Sequence, residues 1–316
     1  MVRYIAVKEE TTYHDETNVP DKYFHFLSES VEADTGLVFP EIATYKDYAF
    51  AVETKFGNSG SIDFIAETVG IGYFLKWALG TVNSELESGA TSVYKHEFTP
   101  SESELSSFTL EIGSSITARR IFGCKVGSLT IEAPLGDIVT YSIDISGGKE
   151  VLQSPATPTT WENGKPFLVF HHGTLKIDDA NYGDVKSFSL TISNDLALDD
   201  SYRLAGSRYP QLLYSGRRTV EISFDSAFTS TTEYQKLLDS TNVAIELTFD
   251  TGVEIETGFN KKMTIELPLV YYTGGAPSIS GADEIVVSFS GRAIRDETAG
   301  YSVKITLWNE KTDYSS

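Results

Sequence analysis

The sequence contains a single cysteine, Cys124. No intrachain disulfide and no cysteine-built zinc site is therefore possible, and a buried, inert thiol is the expected role. Positive charge is also scarce, with 25 Lys and Arg against 45 Asp and Glu and a formal charge of −20. Duplex DNA binders draw affinity from cations that neutralise phosphates, so a DNA-wrapping role is excluded; docking on an anionic membrane is disfavoured for the same reason. Long hydrophobic runs are missing. The most apolar helical stretch is broken by Lys76 and two glycines, and nothing approaches the about 18 apolar residues of a membrane span. The opening residues Met1–Glu10 hold only four apolar positions in a row before charge resumes, which does not fit a secretory leader. The expectation is a soluble protein made in a reducing cytoplasm.

Chemical motifs are absent too. There is no G-x-x-x-x-G-K-[ST] and no G-x-G-x-x-G between a strand and a helix, so no phosphate cradle is expected. The five histidines, His14, His25, His96, His171 and His172, show no chelating spacing. His171 and His172 fall on an expected strand, where neighbours point to opposite faces. No catalytic residue, metal or cofactor is expected. One pair invites a different reading: Asp34-Thr-Gly and Asp250-Thr-Gly occur once in each half, as in aspartic proteases whose two carboxylates share a proton. Against it, Leu37 and Val253 follow the glycines where those enzymes carry Ser or Thr, and the two motifs sit at non-equivalent places in the chain. Asp-Thr-Gly is also an ordinary strand-ending turn. The hydrolase using Asp34 and Asp250 is kept as the alternative.

What is present is period-two alternation. In Val185–Ser193, Phe188, Leu190 and Ile192 alternate with Ser and Thr, and 107–113, 128–133, 140–146, 219–225, 243–250, 263–267 and 302–308 read alike. Such segments are strands with one buried and one polar face. Two helices are predicted, one over 61–79 with Ser61 as N-cap, the other from the S-x-x-E capping box Ser230–Glu233 through residue 240. Each half then reads as strands, one helix, then strands, a weak internal repeat. The expected division is 1–148, a linker over 149–165 rich in Pro, Thr and Gly, and 166–316. The fold class is mainly β, two β-sandwich or barrel domains, each with one packed α-helix. The 17 Tyr, 18 Phe and 3 Trp suit core packing and subunit contacts.

Specific segments resemble a known family. Gly70–Gly80 (GIGYFLKWALG), Tyr94–Phe98, Ser107–Gly113, Phe122–Glu132, Ser187–Asn194 and Gly216–Phe224, in this order and spacing, are similar to tail tube (major tail) proteins of long-tailed phages and archaeal head–tail viruses, of the duplicated tube-domain type. The resemblance implies rings stacked into a hollow tube, each ring a trimer of pseudo-sixfold symmetry. Tape measure protein and viral DNA would pass through the lumen without specific binding. Tail terminator and distal tail proteins would be the other partners, no membrane would be involved, and the location would be the virion tail after synthesis in the host cytoplasm. A capsid-decoration or adhesin β-sandwich is the non-catalytic alternative. A water-filled barrel needs strands with one polar face, so Thr130, Glu132, Ser142, Asp144, Thr191, Glu221 and Ser223 are the candidate lumen-facing residues. Segments 8–22, 34–46 and the linker are long enough to act as arms between rings.

Overall fold

The computed structural model describes residues 2–204, 206–277 and 284–314. The chain begins with β1 (Tyr4–Glu9), β2 (Lys22–Phe24), β3 (Ser28–Glu29), β4 (Glu32–Asp34), β5 (Leu37–Val38), β6 (Val52–Glu53) and β7 (Gly57–Ile65), then helix α1 (Ile71–Leu79). It continues with β8 (Gly80–Leu86), β9 (Tyr94–Pro100), β10 (Phe108–Gly113), β11 (Ala118–Ala133), β12 (Thr140–Gly147) and β13 (Glu150–Gln153). Then come β14 (Gly173–Ile177), β15 (Ala180–Asn181), β16 (Val185–Ser193), β17 (Thr219–Ala227), helix α2 (Thr232–Leu238), β18 (Val243–Glu256), β19 (Phe259–Gly274), β20 (Val286–Ala293) and β21 (Lys304–Asn309). The fold is mainly β, as the alternation predicts.

Three antiparallel layers organise these strands. A central sheet runs β7–β12–β11–β16–β17–β20, with β3 and β4 lying along the outer edge of β7. A second sheet, β2–β1–β10–β11–β13, backs the first half. A third, β14–β18–β19–β21–β9–β8, backs the second. Long strands turn the corners. The sixteen residues of β11 pass from the second sheet into the central one, with a register break between Val126 and Ser128. β19 likewise pairs with β21 through Glu266 and with β20 from Val270. Pro268 sits between, where a missing N–H suits a corner.

One hydrophobic core fills the space between layers. Helix α1 is wedged into it: Phe74 packs on Phe64 at 5.0 Å and Trp77 stacks on Phe108 at 4.3 Å. Only Lys76 of its nine residues escapes full burial. Cys124 is buried as expected, and burial raises its thiol pKa well above the ordinary value.

The helix expected over 61–79 is shorter than its apolar content implies. Residues 57–65 form strand β7, because Ile62 and Phe64 face the core while Ser61 and Asp63 do not, and β7 pairs with β12 over eight residues. Gly60, at φ +154°, lets β7 pass Ser30, where a Cβ would come 2.4 Å from the carbonyl oxygen. The true helix start is organised by Glu67, whose carboxylate accepts the N–H groups of Val69 (2.6 Å), Gly70 (2.5 Å) and Ile71 (3.2 Å). Three of the donors orphaned at a helix start are thereby satisfied. The capping box at Ser230 does not close either. Ser230 Oγ accepts the Thr232 N–H at 3.2 Å, but Glu233 turns instead to the Tyr272 hydroxyl and to Lys236. His171 and His172 lie in a 3-10 turn rather than a strand, their rings in edge contact at 4.7 Å.

Candidate functional site

The central sheet has one apolar and one polar face, and register aligns the polar face into rows. Directly paired residues in an antiparallel sheet share a face. One row runs Asp63–Ser142–Thr130–Thr191–Glu221–Arg292 across six strands. The row on one side runs Thr140–Glu132–Ser189–Ser223–Ser290, and on the other Asp144–Ser128–Ser193–Thr219. All seven residues picked out from sequence, Thr130, Glu132, Ser142, Asp144, Thr191, Glu221 and Ser223, therefore share this face, exposed or half-buried in the single chain. On the reverse, Ile62, Phe64, Leu129, Ile131, Ile143, Leu190, Ile192, Val220, Ile222 and Phe224 are buried.

The seam between the halves falls inside this face. β11 of the first half pairs with β16 of the second over six residues, and the Thr130 and Thr191 hydroxyls meet at 3.1 Å. Around it, Ser128 donates to Asp144 at 2.5 Å, and Ser187 and Ser288 donate to Asp225 at 2.8 and 2.5 Å. Across the six main strands the face carries five carboxylates, Asp63, Glu132, Asp144, Glu221 and Asp225, against one guanidinium, Arg292. The third sheet is different. There lysines are interleaved with acids and paired with them, Lys176 with Glu246 at 2.7 Å, Lys304 with Glu266 at 2.9 Å and Lys95 with Glu97 at 2.8 Å. The central face thus holds −4 of the chain's −20 with one cation among its acids, whereas the acids of the third sheet are interleaved with lysines.

Asp34 and Asp250 each serve their own turn. Asp34 Oδ1 accepts the Gly36 N–H at 2.9 Å and its other oxygen faces Lys55 at 3.5 Å. Asp250 Oδ1 accepts the Gly252 N–H at 2.8 Å and an Asn260 amide N–H at 3.0 Å. One sits at the edge of β7 and the other in the β18–β19 hairpin. A shared proton needs the two carboxylates in contact. Among the described residues they make no hydrogen bond to each other, and no group of three or more His, Cys, Asp or Glu could hold a metal.

Of the three segments long enough to be arms, one stands clear of the body. Residues 37–53 form an exposed hairpin closed by β5 and β6. It leaves Phe39, Tyr45, Tyr48, Phe50 and four aliphatic side chains open, Tyr48 at 64 %. Contiguous exposed apolar surface of this kind marks an interaction site. Segment 8–22 instead folds back on the second sheet, where Glu10 accepts hydrogen bonds from Ser107, Thr109 and Gly123, and Asn18 donates to Lys8 and Glu9. The stretch 149–165 is held as well: β13 pairs with β11, and Trp161 stacks on His25 at 3.7 Å. Sequence periodicity had no means of finding the hairpin's exposure, since its aromatics follow neither helical nor strand spacing.

Comparison with curated proteins gives no match. A family model described as "Phage tail tube protein" matches residues 2–293, nearly the whole chain and both halves of the polar-faced sheet. The chain belongs to the phage tail tube protein family and is a structural component of a virion tail.

Proposed function

We propose that this chain assembles into rings that stack as the hollow tail tube through which viral DNA is delivered. The observation that carries the reading is the β11–β16 seam, which makes one sheet of both halves and gives that sheet one continuous acidic, hydroxyl-rich face. Each chain thereby supplies two consecutive sectors of a barrel wall, 1–148 and 166–316, joined through 149–165. In both sectors a strand leads into a helix and a hairpin, and a later strand pairs back on the first: β7, α1, β8–β9 and, after β10 and β11, β12; then β17, α2, β18–β19 and β20. This parallel supports an internal duplication, and three chains then complete a pseudo-sixfold ring. Joining sheets between chains also protects strand edges, which otherwise invite aggregation.

In this reading Thr130, Glu132, Ser142, Asp144, Thr191, Glu221 and Ser223 face the lumen. Tape measure protein and DNA pass them without specific binding, since like charge keeps phosphates off the wall. Tail terminator and distal tail proteins cap the two ends, and the chain is made in the host cytoplasm before assembly. Its role requires no chemistry of its own. Negative-stain microscopy of purified protein over a range of concentrations tests the proposal. Stacked rings with a central hole are expected; monomers at every concentration would overturn it.

A further inference from the structure

Four of the chain's nine arginines meet in one place. A cleft of about 670 Å³ at one rim of the central sheet is lined by Arg217, Arg218, Arg292 and Arg295, with Glu102 and Glu104 as the carboxylates among the described residues of its lining. Those acids are already engaged. Glu102 is paired with Arg295 at 2.5 Å, and Glu104 with buried Lys125 at 3.2 Å. Arg292 holds Glu221 at 2.5 Å from the neighbouring strand. Arg218 finds only neutral acceptors, Asn194 Oδ1 at 3.0 Å and the Ser101 carbonyl at 3.2 Å, and burial lowers its pKa. Exposed Arg217 makes no hydrogen bond or ion pair among the described residues. Two guanidinium charges are thus left without a carboxylate among the described residues of a chain of −20. For half-buried Arg218 an unpaired charge is costly unless something else supplies the anion, while exposed Arg217 is free to meet one.

The matching anion lies on the β4–β7 edge of the same sheet, at the same rim. Strand β4 pairs with the start of β7, Glu32 opposite Ser59 and Asp34 opposite Gly57. Ser59 lies one step beyond the row that runs from Ser61 through Asp144, Ser128 and Ser193 to Thr219. Arg218 and Arg217 follow immediately beyond Thr219 at the other end of that row. Glu32 is exposed and makes no hydrogen bond or close ion pair within the described chain, and Glu29 stands three residues before it. At one side of this rim Glu32 therefore offers an unpaired carboxylate, and at the other, at the start of β17 beside β20, Arg217 and Arg218 offer guanidiniums without one, at matching height.

We propose that the arginine cleft receives the Glu29–Asp34 edge of a second copy of this chain, so that neighbouring central sheets meet head to tail along one rim. This is a heterologous contact, in which each copy offers its cleft to one neighbour and its acidic edge to the other, so that rotation closes a ring. Arg217 and Arg218 gain the carboxylates they lack, in the forked geometry guanidinium favours, and like-charged wrong registers are penalised. A nucleic acid phosphate is the less fitting occupant, because the five-carboxylate face adjoins the cleft. The inference rests on the ring assembly proposed above.

Charge reversal in the full-length chain tests it. Arg217→Glu with Arg295→Glu should leave the circular dichroism spectrum and the unfolding midpoint of the monomer close to wild type. The concentration needed for rings, read by light scattering and negative stain, should rise about tenfold or more. Glu32→Arg alone should weaken assembly similarly, and combining it with Arg217→Glu in one chain should restore much of the loss. Undiminished assembly of the double arginine variant overturns the proposal. So does restoration by Glu41→Arg on the hairpin but not by Glu32→Arg. Normal rings that lose only their retention of a duplex oligonucleotide would make the cleft a phosphate site instead. A wild-type chain that forms no ring at all brings down the tube reading first, which separates the two failures.

Discussion

Glu67 joins the start of a helix to a measurable pH dependence. It is enclosed by the core, and burial pushes its pKa up to about 7 from the ordinary 4.5, against the three backbone N–H groups that favour the carboxylate. The folded chain therefore holds this proton more tightly than the unfolded chain. The stability it contributes is fully present below about pH 4.5 and is lost as pH rises to about 7, a span worth ~3 kcal/mol at most. His14, His25, His96 and His172 act in the opposite sense: burial lowers each from 6.5, so they cost stability as pH falls. Glu67→Gln leaves those histidines in place and removes one titration. Urea midpoints of the variant and wild type, converted to free energy, should move apart by ~2–3 kcal/mol in favour of Gln between pH 5 and pH 8. A difference that stays flat would sink the assignment. Gly72 makes a second test by reversing a familiar sign. Alanine in place of a helical glycine ordinarily gains about 1 kcal/mol, but here its Cβ would come 2.3 Å from Cζ of Tyr314. That ring is anchored, its hydroxyl donating to the Val69 carbonyl at 2.6 Å. Gly72→Ala should lose about 1–3 kcal/mol through overpacking, read as a lower thermal midpoint; a raised one would contradict the packing.

At the scale of elements, the exposed hairpin of residues 37–53 makes the cleanest separation between folding and assembly. Its aromatic residues touch little of their own chain, so replacing Phe39, Tyr48 and Phe50 by Ser should change monomer stability by no more than about 0.5 kcal/mol each. If a neighbouring ring covers them, the same triple variant should lose stacking into long tubes, because buried aromatics dominate contact energies. Tubes of wild-type length on grids of the variant would show that the hairpin is dispensable. The same elements show how far a sequence reading reaches. β16 and β17 were legible because each has one buried face and one polar face, so Phe188, Leu190, Val220 and Ile222 alternate cleanly. Of the helix expected over 61–79, residues 71–79 are helical while 61–65 belong to β7: the alternation of Ile62 and Phe64 with Ser61 and Asp63 is too short to separate from the apolar stripe of Ile71, Phe74 and Leu75 that follows. The seam of Thr130 with Thr191 follows from tertiary register, which no local pattern encodes. The arginine cleft was invisible because Arg218 and Arg292 lie 74 positions apart and meet only through the pairing of β17 with β20. The seven residues of the polar face were legible, by contrast, since a strand's polar side is fixed by parity alone.

On the scale of the whole molecule, a charge of −20 has two physical readings. Spread evenly it gives solubility; gathered on one wall it acts on whatever passes that wall. The central face holds −4 of this charge, from five carboxylates and one guanidinium, so the second reading applies to that wall and the first to the −16 carried elsewhere. Three chains in a ring would place −12 around the lumen, repeated at every ring of a stack. DNA crossing such a wall keeps its counterions, and no phosphate is held in place. Glu132→Lys with Asp144→Lys brings the face of each chain from −4 to 0 without touching the apolar side of β11 or β12. Both side chains are exposed, so rings should still form at wild-type concentration. Tubes of this variant should retain a short duplex at low ionic strength and release it steeply as salt rises, while wild-type tubes retain none at any salt. A fluorescent duplex sedimented with the tubes measures this directly. Equal recovery with both proteins would mean that the acid on this face plays no part in passage, and that the charge of the chain is there for solubility.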